Sequence, residues 1–88
     1  PEPGTIKLTG LSSGNTLRRA GAFNNAPKVD LSVIGARHKV FWLINGDLTQ
    51  VTSPEEIFAY RFDLPGQYEI TVMDTHGNFD SVDIRVLD

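Results

Sequence analysis

Apolar and polar residues alternate along most of the chain with a period of two. Thr5 to Leu11 begins the pattern, with Ile6 and Leu8 on one side and Thr5, Lys7 and Thr9 on the other. That is the period of a half-buried β-strand. Ser12-Ser13-Gly14-Asn15 reads as a turn. Thr16 to Ala20 reads as a short edge strand, in which Arg18 and Arg19 discourage pairing with a foreign edge. Gly21 to Pro27 is small, polar and turn-rich, and reads as a loop. Val29, Leu31 and Val33 then alternate with Asp30 and Ser32.

Gly35-Ala36-Arg37 turns the chain into its most apolar segment, Val40-Phe41-Trp42-Leu43-Ile44. Both faces of that segment are apolar. The pattern predicts a central strand with one face in the core and the other covered by a loop. Asn45-Gly46-Asp47 ends it, and Asn-Gly tolerates the positive φ of a tight hairpin. Thr49 to Ser53 carries a weaker strand signal. Pro54-Glu55-Glu56 suits a single helical turn, since proline is well placed at a first helical position.

The second half is the clearest. Tyr60, Phe62 and Leu64 alternate with Arg61 and Asp63, and Pro65-Gly66 makes a turn. Tyr68, Ile70 and Val72 alternate with Glu69 and Thr71. Asp74 to Asn78 turns around Gly77, and Val82, Ile84 and Val86 alternate with polar residues to the end. Repeated short strands without a long helical pattern predict an all-β fold, an immunoglobulin-like two-sheet antiparallel β-sandwich. Tyr68 enters a strand just after a turn. In such sandwiches a tyrosine there bonds back to the turn backbone, which is a device of stability. Trp42 is expected to anchor the core, at about 3–5 kcal/mol if truncated to alanine. Gly46, Pro65, Gly66 and Gly77 are turn residues in this reading.

With 88 residues, the chain is long enough for one domain and too short for two. Its opening, Pro1-Glu2-Pro3-Gly4, is not a Met start and reads as an excised or processed piece of a larger chain. Residues 1–88 are thus expected to form one accessory domain from the C-terminal part of that chain. No stretch has the length of a membrane span, so direct membrane insertion is not expected.

The formal net charge of -3 argues against a nucleic-acid partner, whose phosphates need basic residues. Residues 1–44 hold Lys7, Arg18, Arg19, Lys28, Arg37 and Lys39 against Glu2 and Asp30. Nearly all the acids lie in the second half. The bland reading is solvated strand faces; the sharper one is a docking surface.

Little in the sequence carries chemistry. There is no cysteine, hence no thiolate and no disulfide. His38 and His76 lack ligand spacing and read as surface histidines. Asp74, Asn78 and Asp80 form an oxygen-rich turn that is loosely calcium-like, but Asp and Asn also cap tight turns with their own side chains. No catalytic residue, cofactor site or metal site is expected. Glycine loops for phosphate are absent, and basic residues are not interleaved with aromatics as on a nucleic-acid platform.

Three segments together carry a resemblance. They are Val40-Phe41-Trp42-Leu43-Ile44-Asn45-Gly46, Pro65-Gly66-Gln67-Tyr68-Glu69-Ile70-Thr71-Val72-Met73-Asp74, and Gly77-Asn78-Phe79-Asp80-Ser81-Val82. With the opening Gly10-Leu11-Ser12-Ser13-Gly14-Asn15-Thr16-Leu17-Arg18-Arg19 before them, they make the chain resemble the C-terminal domain of the penicillin-binding protein 1C family, the bifunctional class A murein synthases. The resemblance implies a parent enzyme with glycosyltransferase and transpeptidase domains on the periplasmic side of the bacterial inner membrane. It implies an accessory domain that follows the transpeptidase. No catalytic residue carries over: Ser-x-x-Lys and Lys-Thr-Gly are missing, and Ser13-Gly14-Asn15, alone in a turn, matches the middle motif, Ser-x-Asn, only formally.

Three functions compete at this point. The first is docking to, or regulation of, the parent's own transpeptidase domain or other periplasmic cell-wall proteins. It predicts an exposed apolar or charge-patterned patch on one sheet. The second is a carbohydrate-binding module for peptidoglycan glycan strands, with Tyr60 and Phe79 as the aromatics to inspect. The third is an unrelated PKD-like cell-surface adhesion module.

Overall fold

The computed structural model describes residues 6–18 and 26–87 of the chain. Eight strands occur among them: β1 (Lys7–Thr9), β2 (Thr16–Arg18), β3 (Lys28–Ile34), β4 (Val40–Ile44), β5 (Asp47–Thr52), β6 (Phe58–Arg61), β7 (Gly66–Asp74) and β8 (Phe79–Leu87). They form a three-stranded sheet, β1-β3-β6, and a five-stranded sheet, β2-β8-β7-β4-β5. Alternation puts every second residue of each sheet into the shared interior. The small sheet and the residues flanking it contribute Ile6, Leu8, Leu31, Val33, Phe58 and Phe62. The large sheet contributes Val40, Trp42, Ile44, Ile70, Val72, Val82, Ile84 and Val86.

Pairing is antiparallel, with one exception. β2 runs parallel to β8, with Leu17 opposite Val86. The chain reaches that edge through the Ser12–Asn15 turn. There Asn15 N–H donates to the Ser12 carbonyl (3.1 Å) and the Ser12 amide to Asn15 Oδ1 (2.8 Å). The Gly14 amide then bonds the Asp83 carbonyl and the Arg85 amide the Asn15 carbonyl. The period-two pattern of a three-residue strand does not record direction, so only the fold reveals the parallel pair.

The hairpin at Asn45-Gly46 has positive φ at both central residues, 53° and 83°, as the sequence expects of Asn-Gly. Asn45 also ties the turn to β7, where its Oδ1 accepts from the Glu69 amide at 2.8 Å. The weakly patterned Thr49–Ser53 segment is strand β5. Its signal is faint because β5 is an edge strand, largely exposed, with an irregular register between Trp42 and Leu43 of its partner. Ser53 and Glu56 close a one-turn connector reciprocally, Glu56 N–H to the Ser53 carbonyl and Ser53 N–H to Glu56 Oε1.

One expectation needs correcting. Leu64 does not extend the Tyr60–Phe62 strand. β6 ends at Arg61, the Phe62 amide bonds the Pro27 carbonyl at 2.9 Å, and Leu64 is exposed in the turn that follows. The Gly21–Pro27 loop, Arg19 and Ala20 fall largely outside the described residues, as does Thr5. Among the described residues no helix is long and apolar enough to cross a membrane.

Candidate functional site

The side chains of β4 that do not enter the core define the most distinctive surface. Val40, Trp42 and Ile44 point inward, so Phe41 and Leu43 lie on the outer face of the large sheet. Register then names their neighbours. Phe41 stands opposite Val51 on β5 and Met73 on β7, and Met73 stands opposite Phe79 on β8. A row of four apolar side chains, Val51–Phe41–Met73–Phe79, therefore crosses the outer face of four strands. Beside it Leu48 stands opposite Leu43, and Leu43 opposite Thr71. Phe79 is 64% exposed, Leu48 61% and Val51 44%. Phe41, Leu43 and Met73 are half-buried. The second apolar face of β4 is thus flanked by cross-strand neighbours, where the sequence suggested a covering loop.

Charge borders the row. Lys39 Nζ lies 5.9 Å from the Phe41 ring centroid, at the outer limit of a cation–π contact. Further along the same face Glu69 stands directly opposite Asp83, and Gln67 opposite Arg85. Two carboxylates facing each other across strands repel, and a cationic neighbour would relieve them. The sheets differ in sign. Strands β1, β3 and β6 hold Lys7, Lys28 and Arg61 against Asp30. The strands of the large sheet hold Asp47, Glu69, Asp74, Asp80 and Asp83 against Arg18 and Arg85. A surface depression of about 840 Å³ lies over this acidic end and is lined by Asn15, Asn45, Gln67, Glu69, Asp83 and Arg85 among others.

Tyr60 and Phe79 are not brought together. Phe79 is on the outer face of the large sheet. Tyr60 is on β6, half-buried in an aromatic ladder with ring centroids 4.8–5.7 Å apart, running Trp42–Phe58–Tyr60–Phe62–Tyr68. Burial raises the Tyr60 phenol above its ordinary range, helped by Tyr68 and Asp63. Phe58 is part of this ladder, and extending the Tyr60–Phe62 alternation back by two residues would have found it. Trp42 is fully buried and donates its indole N–H to Thr52 Oγ1 at 2.9 Å. The Tyr68 hydroxyl donates to the Leu64 carbonyl at 2.5 Å, across the Pro65-Gly66 turn. Gly46, Gly66 and Gly77 all have positive φ.

The oxygen-rich turn is occupied with its own backbone. Asp74 Oδ1 accepts from the His76 and Asn78 amides (2.8 and 2.9 Å), and Oδ2 accepts from Asn78 Nδ2 (2.9 Å). These bonds, the Asn78 side chain's first, hold the Asp74 carboxyl below the usual carboxylate range. Asp80 is equally engaged: Oδ2 accepts from the Leu8 amide and Oδ1 from the Ser81 amide. His38 and His76 meet edge to face, 5.7 Å between centroids. Among the described residues no three His, Cys, Asp or Glu side chains are grouped to hold a metal ion.

Residues 1–86 match the family described as the Penicillin-Binding Protein C-terminus Family. Among solved structures the chain is similar to a fibronectin(III)-like module of Clostridium thermocellum CbhA. That similarity has a TM-score of 0.54 and 18% identity, and covers 94% of each chain. It is a likeness of fold. No curated protein matches the chain.

Proposed function

The chain belongs to the Penicillin-Binding Protein C-terminus family as a non-catalytic accessory domain, and from that premise we propose that it docks a protein through the outer face of its large sheet. The partner in this reading is the transpeptidase domain of the same penicillin-binding protein, on the periplasmic side of the inner membrane. The observation that carries the reading is the Val51–Phe41–Met73–Phe79 row. Apolar side chains scattered singly over a surface need no explanation, whereas a contiguous row rimmed by charge marks an interaction site. The Glu69–Asp83 pair, beyond Thr71 and Ser81 on the same face, fits a partner whose apolar patch has basic side chains to one side.

A glycan-binding role has less support. Tyr60 and Phe79 belong to different sheets, so they make no shared stacking platform. The deciding experiment is an NMR titration of the labelled chain, with the isolated transpeptidase domain in one arm and solubilised peptidoglycan fragments in the other. Saturable shifts at Phe41, Met73 and Phe79 are expected in the first arm. Phe79→Asp should weaken that binding about tenfold or more while leaving the melting temperature nearly unchanged. Localised shifts only with glycan, or protein-induced shifts remote from this row, would overturn the proposal.

A further inference from the structure

A sheet edge offers unpaired backbone groups to any other strand, and folded proteins usually blunt it. Among the described strands, three of the four edges are blunted. β1 has three residues, and the Asp80 carboxylate caps its Leu8 amide at 2.8 Å. β2 has three residues and ends on Arg18. β6 has four and ends on Arg61. β5 is different. Its six residues, Asp47-Leu48-Thr49-Gln50-Val51-Thr52, contain no proline, no lysine and no arginine, and their one charge stands at the end.

The irregularity in β5 shapes what this edge can accept. Trp42 pairs with Gln50 but Leu43 with Leu48, so Thr49 is an extra residue. In a regular strand, positions three apart face opposite sides. The extra residue brings Leu48 and Val51 to the same outer face, opposite Leu43 and Phe41, while Thr52 points inward opposite Val40 and is buried. A bulge often turns an edge away from partners. Here it makes the edge self-complementary. When two β5 strands run antiparallel about a two-fold axis between Thr49 and Gln50, Leu48 of each copy meets Val51 of the other on the outer face. Asp47 meets Thr52, and Thr49 meets Gln50. No like charges oppose each other. A slip of one residue would set Leu48 against an inward-facing position and lose the pairing.

We propose that the β5 edge is a self-association site whose occupant is the β5 strand of a second copy of this chain. The arrangement joins the two five-stranded sheets into one ten-stranded sheet. It is isologous, as two-fold interfaces between identical chains are. Six residues a side make a small contact, so the association is concentration-dependent and reversible. It covers Val51, the β5 end of the docking row, leaves Met73 and Phe79 free, and is argued independently of the docking role proposed above.

Sedimentation of the chain over a range of concentrations tests the association. The apparent mass should rise from 9.7 kDa towards twice that value. Leu48→Lys with Val51→Lys should hold it at the monomer mass, with an unchanged far-ultraviolet spectrum and melting transition showing that the variant folds. Register has its own test, because the chain has no cysteine. Mixed under oxidising conditions, Leu48→Cys and Val51→Cys proteins should form disulfide-linked pairs, while either alone should form several-fold fewer. A chain that stays monomeric at all concentrations overturns the proposal and leaves the edge to a strand from another protein. Dimers that survive the double lysine variant, or cross-linking without the 48–51 preference, overturn it as well.

Discussion

Replacing Thr52 by valine should cost stability out of proportion to the size of the change. Thr52 is the one buried polar residue among those described, 4% exposed, and its Oγ1 accepts the indole N–H of Trp42 at 2.9 Å. Valine has nearly the same shape, so no cavity follows. What is lost is the acceptor. The indole can only donate, and Trp42 sits fully buried in the apolar core, out of reach of solvent. A buried donor left unpaired costs about 1–3 kcal/mol. For a chain of this length each kcal/mol lowers the melting temperature by about 4–8 °C, so a fall of about 4–24 °C is expected. Urea unfolding gives the free energy directly. The chain has a single tryptophan, so fluorescence reports on this very indole. Trp42→Phe should cost more, because it opens a cavity and also strands the Thr52 hydroxyl. The double variant has neither orphan group. Its loss should fall short of the sum of the single losses by about 1–2 kcal/mol, read by circular dichroism in all four proteins. Additive losses, or a Thr52→Val protein within about 0.5 kcal/mol of the parent, would refute the argument that this bond secures the core.

Two further outcomes follow from local geometry. Gly10 (φ +108°) and Gly46 (φ +83°) both need a left-handed backbone, but a Cβ at Gly10 would run into the Asp30 carbonyl oxygen while one at Gly46 meets open space. Gly46→Ala should therefore lose about 1 kcal/mol and Gly10→Ala about 2 kcal/mol or more, compared by urea midpoints at equal m-value. The Asp74 carboxyl is held below its ordinary range by the Asn78 side chain and the turn amides, so the folded state binds its proton less readily than the unfolded state. Its contribution is complete above the ordinary carboxylate range and is lost as pH falls through the lowered value. Asp74→Ala should flatten the acid limb of a melting-temperature profile and leave no added pH dependence near neutrality.

Alternation alone determined most of this protein. Where one face of a strand is buried and the other wet, the register of apolar residues records which side faces in, and β3, β7 and β8 are legible on that ground. So are the Asn45-Gly46 hairpin and the Tyr68 hydroxyl's reach back across the Pro65-Gly66 turn, because both are bonds between near neighbours in the chain. Other features depend on distant strands and leave no local trace. β2 could be read as an edge strand, but its parallel direction comes from its partner, β8, some seventy residues away. Leu64 continues the alternation of Tyr60 and Phe62, yet the last bond to β3 is Phe62 N–H to the carbonyl of Pro27, which has no N–H to return, and the chain then turns out of the sheet. The candidate surface divides in the same way. Phe79 is visible in the sequence as an aromatic to inspect, and Val40–Ile44 as a strand apolar on both faces. That Phe41, Met73, Val51 and Phe79 form one row required the tertiary structure, because a row across a sheet joins residues that pairing alone makes adjacent. The same holds for Leu48 and Val51, which share a face only because β5 carries one residue more than its partner strand.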